Sequence, residues 1–87
     1  MNRDTNRKME MLSVALQNGA VDWAYDDENG ILYAYPSDEI VDSGGPIRTD
    51  YWIDKTDDDD GEWLFCIDRW NDGDVITSVA KLFPFWG

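Results

Sequence analysis

Carboxylates dominate the chemistry available to this chain. Asp26, Asp27 and Glu28 are consecutive, Asp54 precedes the run Asp57–Asp60 and Glu62, and Asp72 and Asp74 flank Gly73. Clustered carboxylates suit three tasks: holding a hard cation, running paired acid–base chemistry, or presenting an anionic surface to a basic partner. A helix–loop–helix calcium loop needs an oxygen ligand at position one, a glycine at six and a bidentate Glu at twelve. With Gly61 at position six, Thr56 falls at one and Ile67 at twelve, so the principal ligand is missing. No metal and no other cofactor is expected. Acid–base pairs are so abundant that none is singled out, and a domain of 87 residues leaves little room for an enclosed substrate cleft.

Other catalytic chemistries lack their residues. There is no His, and Cys66 is the single cysteine. An internal disulfide and a cysteine-based zinc site are therefore excluded, and the thiol has no imidazole to activate it. Cys66 reads as a small buried residue of a strand, and catalysis is not expected. Gly44-Gly45 is followed by Pro46, without the Lys and helix that a phosphate loop needs.

The third task fits the charge. The chain carries 19 Asp and Glu against 7 Lys and Arg, a net charge of −12. Residues 1–18 hold three cations and two anions, a net of +1, and residues 19–87 hold four cations and seventeen anions, a net of −13. That sign excludes direct binding to nucleic acid, whose phosphates need cations. It favours long-range attraction to a basic protein. The plainer reading is that acidity keeps an aromatic-rich domain soluble.

Twelve aromatic residues, five of them Trp, argue for a folded chain. The core is expected to lean on Trp and Tyr, because Leu, Ile, Val and Phe number only 19. So small a body cannot bury every ring, and surface Trp and Tyr are typical interface anchors. Tyr33, Tyr35, Trp52 and Trp70 are assigned to a partner-binding surface, together with the acidic residues Asp26, Asp27, Glu28, Asp54, Asp57, Asp58, Asp59, Asp60, Glu62, Asp72 and Asp74. Stacking on sugars is a weaker reading of the same rings.

The elements that must position these residues follow from periodicity. A helix is expected over about 4–18, capped by Asp4 or Thr5 and stopped at Asn18-Gly19. Met9, Leu12 and Leu16 form its expected apolar face, with Met11 and Ala15 flanking them. Val21–Asp26 and Ile31–Tyr35 alternate around a Gly-containing turn, which reads as a hairpin. Residues 36–46 read as a loop. Ile47–Asp54 and Trp63–Trp70 alternate around the turn Lys55–Gly61, and Asn71–Asp74 is a tight turn. The β-branched run from Val75 favours a strand to about residue 83 over a helix capped by Asp74. The expected fold is α+β: one domain, 1–87, with an N-terminal helix on a four- to five-stranded antiparallel sheet and an aromatic tail at 84–87.

Five strands about 4.8 Å apart span roughly 24 Å. A helix is about 10–12 Å across and covers around half of one face. Trp63, Phe65 and Ile67 alternate with Leu64, Cys66 and Trp70, so β-structure there is apolar on both sides. The second face needs cover from the tail, a second copy of the chain or a partner. In an antiparallel meander, alternate turns share an end, which groups the 26–30 turn with the 55–61 turn.

A small, very acidic, disulfide-free domain of this architecture resembles phage-encoded inhibitors of bacterial defence, namely anti-CRISPR proteins and anti-restriction DNA mimics. The resemblance is one of composition and carries no motif. It implies binding without catalysis to a basic nucleic-acid-handling effector or nuclease, and blockage of its nucleic-acid site. Immunity proteins that neutralise basic nuclease toxins resemble it for the same physical reason. The alternative from another class is a structural or accessory homodimer closed through the aromatic face, so the chain is expected to be a monomer or homodimer. No apolar stretch approaches the ~20 residues of a spanning helix, so no membrane contact is expected. The unpaired Cys66 agrees with a cytoplasmic setting, that of a bacterial host cell if the chain is phage-encoded.

Overall fold

The computed structural model describes residues 3–55 and 63–82. Helix α1 spans Arg3–Gln17 and is followed by strands β1, Ala20–Asp26, and β2, Ile31–Pro36. A short helix α2, Asp38–Asp42, leads to β3, Arg48–Lys55, then β4, Trp63–Asn71, and β5, Asp74–Leu82. The strands form one antiparallel sheet in the order β1-β2-β3-β4-β5. This is a five-stranded meander with one helix packed on it, the α+β fold expected. No described helix is long and apolar enough to cross a membrane.

Helix α1 stops where the sequence signals it. Asn18 N donates to Val14 O at 3.0 Å, its side-chain Nδ2 donates to the same oxygen at 2.8 Å, and Gly19 takes φ +92°. Its buried face differs from the one expected. Met11, Val14 and Ala15 are buried, Leu12 is partly so, and Met9 and Leu16 are 55% and 54% exposed. Met9 and Leu16 lie seven residues apart and share one side of the helix, with Met11, Val14 and Ala15 on the other. The winning set follows the i, i+3, i+4 rule and places two small side chains against the sheet, which lets the helix sit close. Lys8 Nζ lies 4.7 Å from the centre of the Tyr25 ring, joining α1 to β1.

The core cluster joins Met11, Val14 and Ala15 to Leu32 and Ala34 of β2, Tyr51 of β3, and Phe65 and Ile67 of β4. Tyr51 and Phe65 meet edge to face, with centroids 6.1 Å apart. The expectation of a core built on Trp is not met among the described residues. Trp23 is 41% exposed, and Trp52 and Trp70 are only partly buried. The largest fully buried side chains are instead Tyr51, Phe65, Met11 and Leu32. Val21 is also exposed, at a register shift between Ala20 and Asp22 that interrupts the expected alternation of β1.

The segment expected to be a loop contains α2. Asp38 and Glu39 occupy its first turn, where carboxylates favour the helix N-terminus. Ser43 Oγ donates to Glu39 O at 2.8 Å, and Gly45 N donates to Ile40 O at 2.9 Å. A Cβ on Gly45 would stand 2.6 Å from Ile40 Cγ2 and 2.8 Å from Ile40 O, so only glycine fits there. Asn71 Nδ2 donates to Gly45 O at 3.0 Å, tying this segment to the end of β4. The Asp72-Gly73 turn has φ of +51° and +85°, the paired positive values of a tight hairpin turn. It delivers residues 74–82 as a strand.

Candidate functional site: the open sheet face

Side chains alternate across the sheet, and paired residues on neighbouring strands share a face. Leu32, Tyr51 and Ile67 are successive cross-strand partners on the core face. The opposite face carries the row Tyr33, Asp50, Asp68 and Ser78, one residue from each of β2 to β5. Beside it lie Arg48 opposite Trp70, and Trp52 opposite Cys66. Tyr35 pairs with Asp22, and Asp54 with Leu64, on the same face. α1 packs on β1, β2 and β3 from the core side, and no described helix crosses this second face.

All four aromatic residues assigned to a partner surface therefore fall on one face. Tyr35 is 40% exposed, and Tyr33, Trp52 and Trp70 are half-buried. The acidic residues divide. Asp26, Asp27 and Glu28 stand at the β1–β2 end of the sheet, and the antiparallel order places the exposed Asp54 at that same end. Asp57, Asp58, Asp59, Asp60 and Glu62 lie outside the described residues. Asp72 and Asp74 sit at the opposite end, in the β4–β5 turn.

Asp26 is already committed to its own turn. Its Oδ1 accepts from Glu28 N at 3.0 Å and Asn29 N at 3.3 Å, and its Oδ2 accepts from Asn29 Nδ2 at 2.8 Å. The bonds from Asn29 hold its carboxyl below the usual range. Asp27 and Glu28 remain exposed on either side of the turn apex.

The centre of the face is a group that the sequence reading did not assemble. Arg48 Nε donates to Asp50 Oδ1 at 2.8 Å and its Nη2 to Asp50 Oδ2 at 3.1 Å, a two-pronged grip. The guanidinium carbon lies 5.4 Å from the Tyr33 ring centre and 5.1 Å from that of Trp70, so the cation is held between two rings. Asp50 is 8% exposed. Burial pushes its carboxyl up, and the neighbouring Asp68 charge adds to this, while Arg48 and the Trp70 indole N–H pull it down. That N–H is buried and close enough to pull on Asp50, yet it reaches no acceptor in hydrogen-bond geometry among the described residues. Ser78 Oγ donates to Asp68 Oδ1 at 2.6 Å. The sequence signal was present: Arg48 is one of four cations after residue 18, and an i, i+2 spacing in a strand puts it on the same face as Asp50.

A shallow cleft of about 390 Å³ opens beside this group, lined by Tyr35, Ile47, Arg48, Trp70 and Gly73. Burial, with the Asp54 and Asp68 charges, pushes the Cys66 thiol up, which keeps it protonated at neutral pH and a poor nucleophile. Among the described residues, no group of three Cys, Asp or Glu side chains converges as a metal site requires. Ile67, at position twelve of the calcium frame, is a core residue of β4. What the face offers is an array of rings and carboxylates on neighbouring strands spaced ~4.8 Å apart. No protein-family profile, curated protein or solved structure matches this chain.

Proposed function

We propose that this chain is a non-catalytic acidic inhibitor of the anti-CRISPR or anti-restriction type. It binds a basic nucleic-acid-handling protein and blocks that protein's nucleic-acid site. The observation that carries this reading is the coincidence, on one face with no described helix across it, of Tyr33, Tyr35, Trp52 and Trp70 with Asp22, Asp54 and Asp68. Rings provide desolvated anchors, and carboxylates occupy the positions that phosphates would take in a basic groove. Asp50 is neutralised by Arg48, so the phosphate-like contacts fall to Asp22, Asp54, Asp68 and the acidic end at Asp27 and Glu28. The net charge of −12 steers the encounter.

The test is a binding titration against purified CRISPR effectors, restriction endonucleases and basic nuclease toxins, with duplex DNA as competitor. Affinity for the true target should fall steeply between low salt and about 0.5 M salt. DNA should compete, and Trp52→Ala or Trp70→Ala should weaken binding at all salt concentrations. If only nuclease toxins bind, the chain is an immunity protein. Tight binding that neither salt nor DNA weakens, or no binding to any of these classes, would overturn the reading.

A further inference from the structure

The core face carries a cavity of its own, apart from the rings and carboxylates of the open face. It measures about 180 Å³ and lies where the end of α1 and the middle of α2 approach the sheet. Its polar lining is Asn18, Thr49, Tyr51 and Arg69, and the rest is alanine and proline with Ile40. In a chain with 19 Asp and Glu, no carboxylate lines it. Arg69 stands on β4 between Thr49 of β3 and Thr77 of β5, so neither cross-strand neighbour neutralises it. It is partly buried and forms no ion pair among the described residues. Its charge reaches the Tyr51 phenol, drawing it down against the burial that raises it. Thr49 and Tyr51 are 8% and 2% exposed, which holds their hydroxyls away from bulk water. The residues outside the described ones adjoin Arg3, Lys55, Trp63 and Leu82, at the opposite ends of α1 and of the sheet from this cavity.

We propose that this cavity binds a small organic monocarboxylate, its carboxylate on Arg69 and its apolar body against the alanines, prolines and Ile40. The planar fork of an arginine matches a carboxylate with two parallel hydrogen bonds. A cation drawn partly out of water without a counter-ion is costly, and a bound anion offsets that cost. Two features limit the ligand to a single charge. α1 ends at the cavity, at Ala15 and Asn18, and the C-terminus of a helix disfavours negative charge. The net charge of −12 also repels anions at long range. Both effects penalise a dianion more than a monoanion, so inorganic phosphate fits poorly. The volume sets the body of the ligand. An apolar cavity of about 150 Å³ accepts benzene, and this one is slightly larger, with the Thr49 and Tyr51 hydroxyls as further donors. The inference is independent of the inhibitor reading, since Thr49, Tyr51 and Arg69 face away from Tyr33, Arg48 and Trp70.

Titration with benzoate, followed by backbone amide NMR, tests it, with benzyl alcohol as the neutral counterpart and inorganic phosphate as the dianion. Benzoate should bind saturably, with the largest shifts at Asn18, Ala20 and Thr49. Benzyl alcohol and phosphate should each bind at least about tenfold more weakly, since one lacks the charge and the other the apolar body. Arg69→Gln should weaken benzoate binding by about tenfold and leave benzyl alcohol unchanged. Ala20→Leu adds bulk to the cavity wall and should weaken both. Circular dichroism checks each fold, and the comparison of the three ligands on the unaltered chain carries the test if neither variant folds. No saturable binding at millimolar benzoate overturns the inference. So does phosphate binding as tight as that of benzoate, a set of shifts centred on Tyr33 and Trp70, or benzoate affinity that a folded Arg69→Gln variant retains.

Discussion

Replacing Arg48 with alanine should destabilise the fold far more at neutral pH than in mild acid. Arg48 makes two charge-assisted hydrogen bonds to Asp50, and its side chain is 37% exposed. Hydrogen bonds to a charged group contribute about 1.5–3 kcal/mol, and solvent screening at the exposed guanidinium brings the pair to about 1–2 kcal/mol. The contacts with Tyr33 and Trp70 add about 0.5 kcal/mol each at a half-exposed site, giving a total near 2–3 kcal/mol. The pH dependence follows from Asp50, whose carboxyl burial already raises above its ordinary 3.8. With a raised carboxyl the folded state binds more protons than the unfolded chain, so stability falls as pH climbs from the ordinary value through the folded one. Removing Arg48 raises Asp50 further and widens that window upward. Urea unfolding followed by Trp fluorescence at about pH 5 and about pH 8 should show the larger loss at the higher pH. Adding Asp50→Asn to the Arg48→Ala variant should recover about 1 kcal/mol, because it removes the stranded buried charge. Arg48→Lys should fall between, since an ammonium cannot reproduce the planar fork. A loss that is equal at both pH values, or below about 0.5 kcal/mol, would show a solvated surface bridge and refute the reasoning.

Cys66 should react with a disulfide reagent more slowly than a free thiol near pH 8, and Asp68→Asn should speed the reaction by removing one of the charges that raise the thiol; initial rates across pH would show it. Gly45→Ala should destabilise the protein by about 1–3 kcal/mol, because one of the atoms it strikes is backbone, and a thermal melt would register this. On α1, Met11→Ala should cost about 2–4 kcal/mol and Leu16→Ala under about 0.5, a contrast readable in denaturant midpoints. Equal costs would mean that the helix sits on the sheet by another face.

The meander was legible because its punctuation is strong. Asn18-Gly19, the turn after Asp26 and Asp72-Gly73 each mark a backbone reversal that few other residues permit. The choice between helix and strand after Val75 was settled by that last turn, which forces β5 back along β4. The helix face was not legible, because α1 offers two apolar stripes. Met9 and Leu16 are the larger side chains of one, yet close approach to the sheet selects the smaller Val14 and Ala15. α2 was hidden by flanking Pro and Gly that read as loop, although Ser37, Asp38 and Glu39 are a helix-start signal. The open face was half legible. Alternation put Tyr33 and Tyr35 on one side of their own strand, but that they share a face with Trp52 and Trp70, and the half-buried ion pair between the rings, depend on which strands adjoin, and no single strand encodes that.

Nearest-neighbour strand order also has a kinetic meaning. Every strand pairs only with the one before or after it in the chain, so each pairing step closes one short connection. Loop-closure entropy grows with the length of chain to be closed, and sheets that need distant pairings fold slowly for that reason. Here the chain can zip from one hairpin to the next as it is synthesised, and α1 gains its stability by packing on β1 to β3. A protein built this way should reach its native state within about milliseconds, and be competent almost as soon as it leaves the ribosome.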